Sequence, residues 1–272
     1  MAENARTKMK IPAAKIVRRV LDVFMTVLSV LLMGGITAFE NLAVHEWLGA
    51  ALIAMWIFHN ILNRGFYRSL FSGKYNAARI VMVSVNGALL VCVALLAASG
   101  IMLSNSAFTF LNIHGGMAFA RTAHLVASHW YYILVALHFA LHAGTVFGNI
   151  PATKDSLHPV AAKIFRAVPV VFSVYGIYAF VLRGYYKYLF NIQPFFFFDI
   201  ERGFSLFVLD YFSIFVLAAT CFYYILKFSL KKKGWRKVQK NISSIKIDTL
   251  LPLLMNGQVM VVVENLSNVH EH

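Results

Sequence analysis

Four of the ten histidines in this 272-residue chain repeat one interval. His45 and His59 bracket the apolar run HEWLGAALIAMWIFH, and His124 and His138 bracket HLVASHWYYILVALH, each pair 14 positions apart. A helix rises about 1.5 Å and turns about 100° per residue, so each pair falls within about 40° of one face and about 21 Å apart along the axis. Two such helices side by side set facing imidazoles at two levels. Imidazole suits iron, and a pair of imidazoles on opposite faces of a porphyrin leaves no open coordination position. The chemistry this predicts is one-electron transfer through two b-type haems, one above the other, rather than oxygen binding.

Other polar residues compete for these roles. His142 lies one turn beyond His138 and 18 residues from His124, which also returns to the same face but spaces the levels about 27 Å apart. His138 matches the partner helix better. His142 stays open as the ligand at that level, and the loser of the two is left to meet a haem propionate or a quinone. His129, 13 residues from His142 and about 140° away around the helix, makes a poor pair. His114 falls in a link and could meet a propionate or simply be exposed, while His158, His270 and His272 read as solvent-side residues. Glu46 could orient His45 or take a proton from a quinone, and Arg64, Arg121 and Arg183 could pair with propionates or with lipid phosphate. The competing readings are histidines satisfied inside an ordinary bundle and a zinc or proton-transfer site, for which acidic partners are sparse.

The elements that must position these residues belong to a membrane protein. The chain is 60% hydrophobic with a mean hydropathy of +0.68, against about 45–50% apolar in soluble domains. Its net charge of +14, from 25 Lys and Arg against 11 Asp and Glu, is concentrated near the N-terminus and in the run from Lys227. That placement speaks to topology and anionic lipid rather than to nucleic acid. Cys92 and Cys221 sit in apolar runs, and no CxxCH occurs, so neither covalent haem attachment nor an Fe–S cluster is supported. No phosphate-binding glycine loop or HExxH motif is present.

The expected fold is an all-α integral membrane protein. A basic segment 1–16 precedes a four-helix di-haem core over 17–146, with spans near 17–38, 44–63, 80–102 and 121–146. The first of these reads as a retained helix rather than a cleaved signal. Short links make the bundle run up and down. The second and fourth spans are then parallel, which sets His45 against His124 and His59 against His138. Arg64, Arg68, Lys74 and Arg79 follow the second span, and the link 103–120 carries no Lys or Arg. The bias puts the N-terminus and the His59 level on the cytoplasmic side of a cell inner membrane.

Residues 147–228 read as accessory membrane helices with an aromatic link. The run 166–182 is interrupted by Pro169 and either crosses or lies in the interface. The run 205–226 spans, with Asp210 in need of a partner. Charge bias in KKKGWRKVQK favours six crossings over five. The tail 229–272 is basic, with an Asn256-Gly257 hairpin signal.

These motifs also carry a family resemblance. HEWLG with IFHN, LAASGIMLS, TAHLVAS with LHFALHAG, VYGIYAFVLRGYYKYLF, PFFFFDI and LDYFSIF, in this order across about 17–228, resemble the DUF4405 membrane family of flavinylation-associated cytochromes. That family is related in plan to cytochrome b561 and to the cytochrome subunits of formate dehydrogenases. The resemblance implies a membrane electron carrier with two b-type haems, exchanging electrons with quinone and with a redox protein or complex subunit. It matches His45, His59, His124 and His138, and His142 through the LHFALH pattern. No flavin-attachment motif is visible in this chain, so any flavin would sit in another protein. The alternative is a transporter or non-redox anchor subunit whose histidines are structural or relay protons.

Overall fold

The computed structural model describes residues 13–34, 41–71, 75–147 and 159–229. Among them the regular structure is helical: α1 (Ala13–Leu32), α2 (Leu42–Leu62), the short α3 (Gly65–Ser69), α4 (Ala77–Leu103), α5 (Met117–Phe147), α6 (Pro159–Leu182), the short α7 (Tyr185–Leu189) and α8 (Gly203–Ser229). A bilayer core offers backbone groups no water, so a spanning segment must satisfy them within itself, as a helix does. Four helices are long and apolar enough to cross: α2, α4, α5 as far as His142, and α8. The apolar stretch of α6 is shorter, Ala167–Leu182, and α1 carries Lys15, Arg18, Arg19 and Asp22 in its first half. The expected interruption at Pro169 does not occur. α6 runs through it as one helix, and Ser173 Oγ donates to the Pro169 carbonyl at 2.7 Å.

Side-chain caps set the starts of two spans. Asn41 Oδ1 accepts from the Ala43 amide and Asn76 Oδ1 from the Arg79 amide, both at 2.9 Å, each relieving an orphan donor of the first turn. α4 and α5 pack as an antiparallel pair, α6 and α8 as another, and α5 joins the two through α8. α1 runs antiparallel along α2, where Arg18 Nη2 donates to the Leu62 carbonyl at 2.8 Å. Tyr132, Ala136 and Ala140 of α5 meet Tyr185, Phe207, Tyr211 and Ile214 in the main core. By contrast α2 has no buried residue; it lies mostly against α1 and touches α4 only lightly.

Asp210 finds the partner its sequence position demands. It is fully buried, its Oδ1 accepts from the Tyr175 hydroxyl at 2.6 Å, its Oδ2 accepts from Arg183 Nε at 2.8 Å, and Arg183 Nη2 stands 2.8 Å from the same oxygen as an ion pair. Arg202 stands 3.5 Å from the same oxygen. Arg183 is therefore committed to this carboxylate, which corrects the expectation that it pairs with a propionate or lipid phosphate.

The helices holding this network approach closely at Gly176. A Cβ there would sit 2.4 Å from the Ser213 carbonyl oxygen, and backbone cannot swing aside as a side chain can. Gly176→Ala is expected to cost about 1–3 kcal/mol through overpacking, read as a lower melting temperature in detergent. An unchanged melting temperature would contradict this contact.

Two cross-helix histidine pairs as the candidate functional site

α2 and α5 lie parallel, and their histidines meet in the expected register. The ring centroids of His45 and His124 are 6.3 Å apart and those of His59 and His138 6.4 Å apart, with interplanar angles of 65° and 72°. Two distances give these numbers meaning. A nitrogen donor binds a metal ion at about 2.0–2.1 Å, and ring bonds of about 1.33 Å put each nitrogen about 1.1 Å from its ring centre. Two imidazoles clamping one ion in line then have centroids about 6.2–6.4 Å apart. A direct hydrogen bond between the rings, at about 2.9–3.0 Å between heavy atoms, would draw the centroids to about 5 Å. Both pairs match the first spacing.

In three of the four rings Nδ1 is held from behind. His138 Nδ1 is 2.8 Å from Asn86 Oδ1, His59 Nδ1 is 2.8 Å from Asp22 Oδ1, and His124 Nδ1 is 3.1 Å from Ser99 Oγ. A carboxylate and an amide oxygen only accept. The Ser99 hydroxyl spends its proton on the Leu95 carbonyl at 2.6 Å, so it too accepts from histidine. In each case Nδ1 carries a hydrogen, which leaves Nε2 as the ring nitrogen a metal could take, the arrangement in which metal-binding histidines are fixed by their outer partners.

α4 positions α5's ligand candidates because the two helices are antiparallel, with Asn86 and Ser99 13 residues apart opposite histidines 14 apart. His124 makes a close approach to α4 at Gly100, where its Cε1 would lie 3.6 Å from an added Cβ. Gly49, one turn from His45 on the same face of α2, has nothing within 4 Å of the Cβ position. Between the two levels Leu52 and Trp56 of α2 pack toward Val85, Leu89 and Val93 of α4 and Tyr131 of α5.

His142 stands beside His138, centroids 4.6 Å apart, while His138 is the ring set across from His59. His129, which spacing dismissed, is 1% exposed, its Nδ1 bonded to the Leu125 carbonyl at 2.8 Å and its ring stacked on Tyr188 at 4.6 Å. It belongs to the aromatic core with Tyr185 and Phe196. His114, Arg64 and Arg121 are exposed, and His158, His270 and His272 lie outside the described residues. Near the His59 level, burial raises the Tyr67 phenol, which donates to Asn60 Oδ1. Among the described residues no group of three or more His, Cys, Asp or Glu converges as a metal site. That is the donor set a zinc site needs; a haem iron draws only its axial ligands from the chain.

The Glu46 carboxylate is bonded to the loop that follows α4. It takes the Ser104 hydroxyl at 2.7 Å and the amides of Asn105, Ser106 and Ala107 at 2.9, 2.8 and 3.0 Å. It clamps the chain leaving α4 onto the start of α2 at the His45 level. Loss of these charged hydrogen bonds in Glu46→Ala, each worth about 1.5–3 kcal/mol, is expected to speed hydrogen exchange of those amides on the order of ten- to a hundredfold. Unchanged exchange would mean that the clamp does not hold the loop.

Asn86 escaped the sequence reading, although a lone amide side chain in an apolar span is a signal that something polar faces it. No family model, curated protein or solved structure matches the chain.

Proposed function

We propose that this chain is a membrane di-haem b-type cytochrome that passes single electrons between a quinone/quinol pool and a redox protein or complex subunit. The observation that carries this reading is the pair of facing imidazole sets, 6.3 and 6.4 Å between centroids, at the separation expected for two axial ligands of one iron. His45 and His124 would hold one haem, and His59 and His138 the other. When bound, the haems supply the one-electron chemistry. The chain fixes the tautomers through Asn86, Asp22 and Ser99, and keeps the two levels about 21 Å apart along the helices. The lightly packed face of α2 and the open space at Gly49 suit the entry of a flat apolar ligand. His142, beside His138, would meet a propionate or quinone headgroup at the His59 level.

The basic residues Arg64, Arg68 and Arg79 follow that level and support a cytoplasmic placement for it and for the N-terminus. With α1 and α6 added to the four apolar spans, six crossings of the inner membrane bring the basic tail back to the same side. The resemblance to the DUF4405 family and the wider cytochrome b561 plan points the same way. A reduced-minus-oxidised visible spectrum of the protein purified from haem-replete cells is expected to show b-type bands. A featureless spectrum would instead favour a transporter or non-redox anchor.

A further inference from the structure

The two levels differ in what stands behind the ligands. At the His45 level the acceptor of the His124 Nδ1–H is a neutral hydroxyl, Ser99 Oγ at 3.1 Å, and the Glu46 carboxylate next to His45 is spread over four hydrogen bonds from the Ser104 hydroxyl and the amides of Asn105, Ser106 and Ala107. At the His59 level His138 is backed by a neutral amide, but His59 is backed by a carboxylate, Asp22 Oδ1 at 2.8 Å. Asp22 comes from α1, a helix that contributes no histidine, and its neighbour one turn earlier, Arg18, ties α1 to the end of α2 through the Leu62 carbonyl. Asp22 is half exposed, and its partner is the ring set across 6.4 Å from His138.

Resting on the cytochrome reading above, we propose that Asp22 is a positioning residue that makes the His59-level haem the lower-potential member of the pair. A carboxylate drawing on Nδ1–H shifts electron density onto Nε2 and raises the basicity of the ligand. It also places a negative charge near an iron whose oxidised form carries the extra positive charge. Both effects favour the ferric over the ferrous state. Charge-assisted hydrogen bonds are about twice as strong as neutral ones, and the neutral acceptors Asn86 and Ser99 supply no comparable push. At equilibrium a single electron then rests preferentially at the His45 level. The asymmetry comes from a residue outside the histidine-bearing helices.

Redox titration of the purified holoprotein, followed in the visible spectrum, tests this. The wild type is expected to show two components. Asp22→Asn, which keeps the shape and removes the charge, should raise the lower one by about 59 mV, a tenfold change in its ferric-to-ferrous ratio for one electron, and leave the upper one in place. Asp22→Glu, which keeps the charge, should leave the lower component low. Movement of the upper component, or of neither, overturns the role of Asp22. If Asp22→Asn loses a haem outright, Asp22→Glu must retain both with the lower potential unshifted, or the proposal fails. A wild-type protein without haem overturns the cytochrome reading itself, and the two failures are thereby separate.

Discussion

His138→Ala is expected to purify with one haem per chain, and the unaltered protein and His142→Ala with two. His138 faces His59 across 6.4 Å with its Nδ1 fixed by Asn86 at 2.8 Å. His142 lies on the neighbouring turn, 4.6 Å from His138. Outer partners of metal ligands alone are worth about 10–100-fold in affinity, so removing the ligand should empty the site during purification. Pyridine haemochrome absorbance against protein concentration reads the ratio. One haem in the His142 variant and two in the His138 variant would exchange the assignments.

Asp210→Ala should have the largest effect on stability. The carboxylate is fully buried and takes hydrogen bonds from Tyr175 and Arg183. Its removal strands the Arg183 guanidinium, whose side chain is 8% exposed, beside an apolar core. Breaking a buried pair from one side costs roughly 3–5 kcal/mol, whereas replacing both partners by apolar residues is often close to neutral. Thermal unfolding in detergent should show a large drop for Asp210→Ala and a smaller one for the double variant Asp210→Leu with Arg183→Leu. Arg202, about a quarter exposed, can still reach water in both. Equal losses in the single and double variants would mean that packing, not stranded charge, sets the cost.

The helical frame is legible because long apolar runs between basic links leave few alternatives, and the shared 14-residue interval sets which imidazoles meet once α2 and α5 run parallel. Asp210 is readable as a residue in need of a partner, but the partner is not, since Arg183 lies 27 residues away in the turn between α6 and α7. The second row of the site was harder. Asp22, Asn86 and Ser99 serve the histidines through contacts between helices, and the matching intervals of α4 and α5 gain meaning only once the two helices are packed together. His129 misled in the opposite sense, because angular spacing tests pairing with other histidines and says nothing about stacking on Tyr188. Glu46 was noticed for its neighbour in sequence, and its carboxylate turned out to serve the loop after α4 in space. The expected hairpin around Asn256 lies outside the described residues, as do the basic tail and most of segment 1–16.

A density map of the haem-replete protein at side-chain resolution tests the central claim most directly. The account predicts one porphyrin between His45 and His124 and a second between His59 and His138, each iron bound by both imidazoles. Four rings joined only to neighbouring side chains, with no porphyrin at either level, would contradict it.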